Sequence, residues 1–184
     1  MTSLRVIAGL GAALVGVAAA SPGFAMSGEC FWRHLSPATR EAFLKDYGRL
    51  GAEVLDRVAV DDADYAAIDS ACDAASADPA TKDRLLAATV IEHGSAVFLE
   101  GRLHWDADVI QAAWSRLPRE DLDGLHGQAR QVLRGQAVEQ ADVTGPARRF
   151  VGSGGDGDRD VLDQARAYVT SRAMREAIEQ SSGG

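Results

Sequence analysis

Two adjacent ionisable residues, Glu92 and His93, interrupt the largely apolar stretch LLAATVIEHGSAVFLEG, residues 85–101. In a cleft, Glu92 could act as a general base or as a carboxylate that binds a ligand. His104 follows eleven residues after His93 and completes the set of candidate catalytic side chains. These three residues define a hypothetical enzymatic site.

The same pair has a structural interpretation, which we favour. A buried carboxylate without a partner is costly or has a raised pKa, so Glu92 needs a basic neighbour. Glu92 would then form half of an internal ion pair, or lie at the mouth of a groove that reaches water. The possible partners are Arg84, Arg102, Arg116, Arg130, His34 and His126.

The histidines and acidic residues at the end of this stretch do not predict a metal site. On a regular helix His93 and His104 are about 16 Å apart, whereas zinc ligands lie about 2 Å from the ion. Glu100 with His104, or His104 with Asp108, could chelate one ion, but each pair needs two further ligands. No HExxH or CxxC motif is present, and we therefore predict no metal.

Three other motifs fail at positions that their chemistry requires. DGDRDVLD, residues 156–163, resembles the start of a calcium loop, but the sixth and twelfth positions counted from Asp156 are Val161 and Ala167, where an EF-hand needs glycine and glutamate. Its aspartates are better explained as caps of the last helix. Ser95 lacks the GxSxG frame of a nucleophile elbow, and the glycines at 152–155 lack the strand and GK[ST] of a phosphate loop. We predict no cofactor.

The N-terminal residues are typical of a secretory signal peptide. Arg5 is the only charge before Glu29, and residues 6–20 are uncharged and apolar. Cleavage is expected after Ala25, with Ala20 as the alternative. The apolar run is too short and too rich in alanine and glycine to favour the other interpretation, a membrane anchor. The sequence therefore predicts a periplasmic or secreted protein.

Net charge limits the partners of the chain. The formal charge is −8, and nine carboxylates lie between residues 53 and 83. Such a surface repels phosphate backbones, so we predict no nucleic-acid partner. No later stretch is apolar and long enough to cross a bilayer, so we predict no stable membrane insertion after cleavage. An unidentified protein or small ligand of the envelope remains as the expected partner.

The two cysteines, Cys30 and Cys72, predict a structural disulfide. In an oxidising compartment two cysteines usually pair, and their spacing fits neither redox nor haem-attachment motifs. The bridge would close a loop of some 40 residues, for which chain entropy gives roughly 4 kcal/mol. It would attach the N-terminal segment to the second helix.

Helix signals recur along the mature chain, and no stretch has the alternation of a β-strand. Helices are expected to begin at Ser36–Pro37, at Asp61 or Asp62, at Asp78–Pro79, near Asp106, at Pro118 and near Asp160. Residues 135–158 are expected to form a long connection with weak helical content.

These elements predict an all-α, single-domain, orthogonal or irregular bundle of about five or six helices. A central apolar helix at about 79–101 would be surrounded by the others. The expected divisions are a signal peptide at 1–25, one helical domain at 26–180 with a flexible glycine-rich loop at 152–158, and a disordered tail at 181–184.

No catalytic spacing is present, so the leading hypothesis is an exported, non-catalytic module that binds a protein or a small ligand through a helix groove. The alternative is a small extracytoplasmic enzyme, hydrolase-like, that uses Glu92 and His93 and also His104.

Overall fold

The computed structural model describes residues 26–136 and 143–182, which form an all-α single domain without β-strands. Two short 3-10 helices, Gly51–Asp56 and Gly152–Gly154, accompany the α-helices. The α-helices are α1 (Gly28–His34), α2 (Pro37–Leu50), α3 (Asp62–Ala71), α4 (Pro79–Leu103), α5 (Ala107–Ser115), α6 (Arg119–Leu133), α7 (Thr144–Val151) and α8 (Arg159–Ser182). The predicted fold class is confirmed, and the predicted signal peptide lies outside the described residues.

Side-chain caps explain why the sequence located most helix starts correctly. Ser36, Asp61, Asp78 and Asp106 each accept a hydrogen bond from the backbone N–H three residues later. Asp158 does the same at the start of α8, where it accepts from the N–H of Val161. Each cap satisfies a donor that the helix itself leaves unpaired.

Two long antiparallel helices, α4 and α8, form the centre of the domain. Glu92 of α4 pairs with Arg175, whereas Arg102 near the other end of α4 pairs with Asp158, and these contacts fix the direction. The helices α1 and α2 pack on α4, and α6 and α7 pack on α8. The central apolar helix predicted at 79–101 is therefore one of a central pair.

The core consists of two clusters that α4 and α8 connect. Leu85 of α4 and Ile178 of α8 belong to the first cluster, with side chains of α1, α2 and α3. Leu99 of α4 and Val169 of α8 belong to the second, with side chains of α5, α6 and α7. Both central helices thus bury apolar surface in both halves of the domain.

Three features differ from the sequence prediction. The short helices α1 and α7 were not expected, and α7 lies inside the segment predicted as a long connection. Ala147, Phe150 and Val151 of α7 are buried in the second cluster, which stabilises a helix too short to form in isolation. In addition, α8 includes residues 181 and 182, which the sequence placed in a disordered tail.

The central helix α4 is also less buried than its composition suggested. Val97 is 46% exposed, and Ala87 and Ile91 are half-buried. These side chains were expected to be enclosed, because α4 is apolar on every side. Ala87 and Ile91 instead line an open groove.

The glycine-rich connection packs closely where it meets α8. Gly155 is buried, and a Cβ at this position would lie 2.8 Å from a methyl of Val161 and 3.0 Å from the Cβ of Val151. Only glycine fits here without movement of its neighbours.

Among the helices of the described residues, none has the length and hydropathy that a membrane span requires.

Candidate functional site

Glu92 forms a two-pronged ion pair with Arg175 across the α4–α8 interface. Arg175 Nε lies 2.6 Å from Glu92 Oε2, and Arg175 Nη2 lies 3.1 Å from Oε1. A second guanidinium, that of Arg172, lies 4.0 Å from Oε1. The side chains of Glu92 and Arg175 are only 13% and 17% exposed. Such a shielded pair has the geometry in which guanidinium–carboxylate contacts are strongest.

Arg175 connects this ion pair to a larger hydrogen-bond network that reaches α1. Its Nη1 lies 3.0 Å from both carboxylate oxygens of Glu179, and Glu179 Oε1 accepts a 2.8 Å hydrogen bond from the N–H of Gly28. A side chain at Gly28 would collide with Arg175 and Thr89. Burial lowers the pKa of Arg175, but the hydrogen bond and charge of Glu92, together with Glu179, outweigh it and hold the pKa above its ordinary value.

Arg172 connects the network to α5 and α6. Its Nε donates a 2.9 Å hydrogen bond to Glu176, and Glu176 also lies 2.9 Å from His126 Nε2. The guanidinium of Arg172 lies 5.0 Å from the centre of the Trp114 ring, which is a cation–π distance. Its Nη1 also donates to the Tyr168 hydroxyl. These polar side chains hold one another in place on one face of α8.

His93, although adjacent to Glu92 in sequence, contacts different residues. Its ring stacks on Trp32 with centroids 4.2 Å apart and planes at 10°, and its Nε2 lies 3.7 Å from Glu29. Burial, opposed by the charge of Glu29 and reinforced by the charges of Arg175 and Arg40, lowers the pKa of His93 to about 4. The ring is therefore neutral at pH 7 and packs as an aromatic group.

The third candidate, His104, lies at the end of α4, far from the other two. It is exposed and adopts a left-handed conformation with φ 55° as the residue that caps the helix. Because α4 continues without interruption to Leu103, the separation of about 16 Å from His93 holds. The structure therefore does not bring Glu92, His93 and His104 together.

Within the part of the chain that the structure describes, the pairs Glu100–His104 and His104–Asp108 belong to no group of three potential metal ligands. Among residues 26–136 and 143–182, one group of three ligand-type side chains has its atoms close enough for a single ion, and it consists of Cys30, His34 and Cys72. The two cysteines are joined in a disulfide with an S–S distance of 2.05 Å, as the sequence predicted. His34 Nδ1 lies 3.6 Å from each sulfur.

Neither arginine that pairs with Glu92 is among the six partners predicted from sequence. None of those six contacts this carboxylate in the described residues. The sequence of α8 contains a signal for these ion pairs. Val161, Ala165 and Tyr168 form an apolar stripe at helical spacing, and the same stripe continues with charged residues, namely Arg172, Arg175, Glu176 and Glu179. A buried stripe that changes from apolar to charged indicates buried ion pairs.

The opposite face of α8 forms the floor of a groove between α4 and α6. Positions 170, 174, 177 and 181 lie about 180° around α8 from the charged network. Ala87 and Ile91 of α4, Val132 of α6 and Met174 of α8 line a cavity of about 320 Å³, which we call the apolar groove. A recess of about 120 Å³ extends it along α6.

The apolar groove adjoins a second cavity that is rich in arginine. Arg84, Arg130 and Arg134 line a volume of about 480 Å³ next to the end of α8, which we call the arginine compartment. Arg84 lines both cavities, so they adjoin each other. Among the described residues that line the arginine compartment there is no aspartate or glutamate. These residues therefore exert no electrostatic repulsion on an anionic group that enters it.

The chain was compared with protein-family models, with curated proteins and with solved structures. No family model matches it, and no curated protein or solved structure is significantly similar. The function therefore has to be argued from the geometry of the chain itself.

Proposed function

We propose that the protein is an exported, non-catalytic helical module that binds a small ligand in the groove between α4, α6 and α8. The observation that carries this proposal is the pair of adjoining cavities, the apolar groove and the arginine compartment. Each volume lies in the range of small-molecule sites, about 300–1,000 Å³. Together the two cavities combine apolar walls with a few charged groups, as such sites usually do.

The contacts of Glu92 and His93 favour binding over catalysis. Both carboxylate oxygens of Glu92 are held by Arg175, so neither is presented to a substrate. His93 is stacked on Trp32 and shares no proton with Glu92. The alternative, a small extracytoplasmic enzyme that uses these residues, would have to break the ion pair before reacting.

Export is supported by the sequence of the first 25 residues and by the disulfide bridge. Cys30 and Cys72 form a disulfide, which is typical of extracytoplasmic proteins. N-terminal sequencing of the exported protein tests this part of the proposal. We expect Met26 as the first residue, and an intact Met1 would reject cleavage.

Binding is tested by purifying the protein from its own envelope fraction under native conditions and identifying bound small molecules by mass spectrometry. Val132→Glu places a charge in the apolar groove and is expected to abolish recovery of the ligand. Val97→Glu is a matched control, because Val97 is similarly exposed but lies outside the groove. Equal recovery from both variants, or no ligand from the unmodified protein, would refute a ligand site in this groove.

A further inference from the structure

We propose that the ligand is a single-chain, fatty-acid-like carboxylate whose head group binds the arginine compartment and whose chain lies in the apolar groove. This inference rests on the proposed function and specifies the chemical class of its ligand. Two observations support it. The charge of the arginine compartment is complementary to a carboxylate, and the size and low polarity of the apolar groove match a hydrocarbon chain.

The arginine compartment is a local cationic site on an acidic protein. The chain has a formal charge of −8, yet Arg84, Arg130 and Arg134 converge on one cavity. None of the three takes part in an ion pair within the described residues. Guanidinium groups bind carboxylates in a planar, two-pronged manner. A ligand with an anionic head group matches this end of the cavity.

The apolar groove would bind the hydrocarbon chain of the ligand. Ala87, Ile91 and Met174 form an apolar channel, and Val132 at its rim is 43% exposed. Exposed apolar surface beside a charged cavity is typical of a binding site. From position 170 to position 181 the groove floor follows α8 for about 16 Å. This length suits an acyl chain of medium length together with its carboxylate.

The size of the cavity distinguishes an acyl chain from a helical peptide. A helix is about 10–12 Å in diameter, so 16 Å of helix occupies more than about 1,200 Å³. The apolar groove and the arginine compartment, which together lie along the groove floor, have volumes of about 320 Å³ and 480 Å³. A partner helix would therefore lie partly outside them, whereas a single hydrocarbon chain fits inside.

The test measures binding of dodecanoate to the mature protein by isothermal titration calorimetry. We expect saturable binding with one site per chain. Affinity should increase about tenfold for every two methylenes from octanoate to decanoate to dodecanoate. It should also decrease as sodium chloride is added, because the head-group contact is electrostatic. Dodecyltrimethylammonium, with the same chain and a positive head group, should bind at least about tenfold more weakly.

Two arginine variants separate the head-group contact from general charge effects. Arg130→Gln combined with Arg134→Gln should lower dodecanoate affinity at least about tenfold. Arg116→Gln combined with Arg148→Gln removes the same charge from exposed positions outside the cavity and should leave affinity unchanged. Circular dichroism verifies that both proteins are folded.

The outcomes distinguish this inference from the proposed function. Equal affinity for dodecanoate and dodecyltrimethylammonium, both lost in Val132→Glu, would reject the anionic ligand and retain the groove as a site. Equal loss of affinity in both arginine pairs, or several dodecanoate molecules per chain, would reject the head-group contact. If neither amphiphile binds but the envelope ligand depends on Val132, the inference fails and the proposed function stands. If that ligand is also absent, both fail.

Discussion

The guanidinium of Arg175 donates hydrogen bonds to both carboxylate oxygens of Glu92. Each of the two side chains is less than one-fifth exposed. Glu92→Gln removes the negative charge and leaves the buried cation with one fewer partner. We expect the free energy of unfolding, measured by urea denaturation, to decrease by about 2–3 kcal/mol.

The matched control for this variant is Arg119→Gln. It breaks the exposed pair between Arg119 and Asp123 on α6, and surface pairs contribute little to stability. Unchanged stability of Glu92→Gln, with loss of an enzymatic activity, would contradict the structural role and favour the catalytic hypothesis.

His93 predicts a pH dependence of stability with a defined direction. Its pKa is about 4 in the folded protein and 6.5 as a free side chain, so the unfolded chain binds the proton more readily. Stability should therefore decrease as the pH falls from about 6.5 to about 4. Because the His93 side chain is 32% exposed, solvent screening reduces the effect, and we expect a loss of about 1–2 kcal/mol.

The measurement compares urea denaturation at pH 7 and pH 4.5 for the unmodified protein and for His93→Phe. Phenylalanine can stack on Trp32 without titrating, and this variant should lose less stability on acidification. His104→Asn removes an exposed histidine and should behave like the unmodified protein. Equal acid sensitivity of all three proteins would exclude His93 as the source.

The residues of the candidate site were only partly predictable from sequence. An internal ion pair for Glu92 followed from the cost of burying a lone carboxylate in an apolar helix. The identity of its partner did not follow, because Arg175 lies 83 positions away and no local pattern reports such a contact. The stacking of His93 on Trp32 could not be predicted either, since α1 and α4 meet only in the folded chain.

At the scale of the element, Gly94 allows α2 to approach α4. The ring of Tyr47 packs directly against this glycine, and its hydroxyl forms a 2.8 Å hydrogen bond with Ser95. A methyl group in the place of the glycine hydrogen would collide with the ring. Gly94→Ala should therefore lower the free energy of unfolding by about 3 kcal/mol, through overpacking and loss of the hydrogen bond.

Gly101→Ala is the control within the same helix. No atom outside the helix lies within 4 Å of a Cβ at Gly101, so alanine should raise stability by up to about 1 kcal/mol through its greater helix propensity. Thermal denaturation of both variants tests the pair. Similar effects at the two positions would show that helix propensity, not contact with Tyr47, decides the outcome.

Most helices with a local start signal were predicted, although α1 was missed despite its Ser27 cap. Ser36 and Asp78 each precede a proline and mark α2 and α4 within a few residues. The short α7 lacks a side-chain cap, and its stability comes from burial of Phe150 and Val151 against α8. Such a helix is specified by tertiary packing, which the local sequence does not reveal.

At the scale of the whole molecule, the disulfide links α1 to the residue that follows α3. Cys30 and Cys72 are 42 positions apart, and loop-closure entropy for this separation gives about 4 kcal/mol, of which about 2–4 is usually observed. The variant Cys30→Ala with Cys72→Ala should lose this amount in urea denaturation. Dithiothreitol should destabilise the unmodified protein similarly and leave the variant unaffected.

The sharing of α4 and α8 between the two core clusters has a consequence for cooperativity. The first cluster contains Leu85 of α4 and Ile178 of α8, and the second contains Leu99 of α4 and Val169 of α8. Because the same two helices contribute to both clusters, unfolding of one half should also unfold the other. Melting should thus be all-or-none, with far-ultraviolet and near-ultraviolet circular dichroism giving one common midpoint. A chain of this length with two clusters could have behaved as two folding units, and its paired long helices make it one.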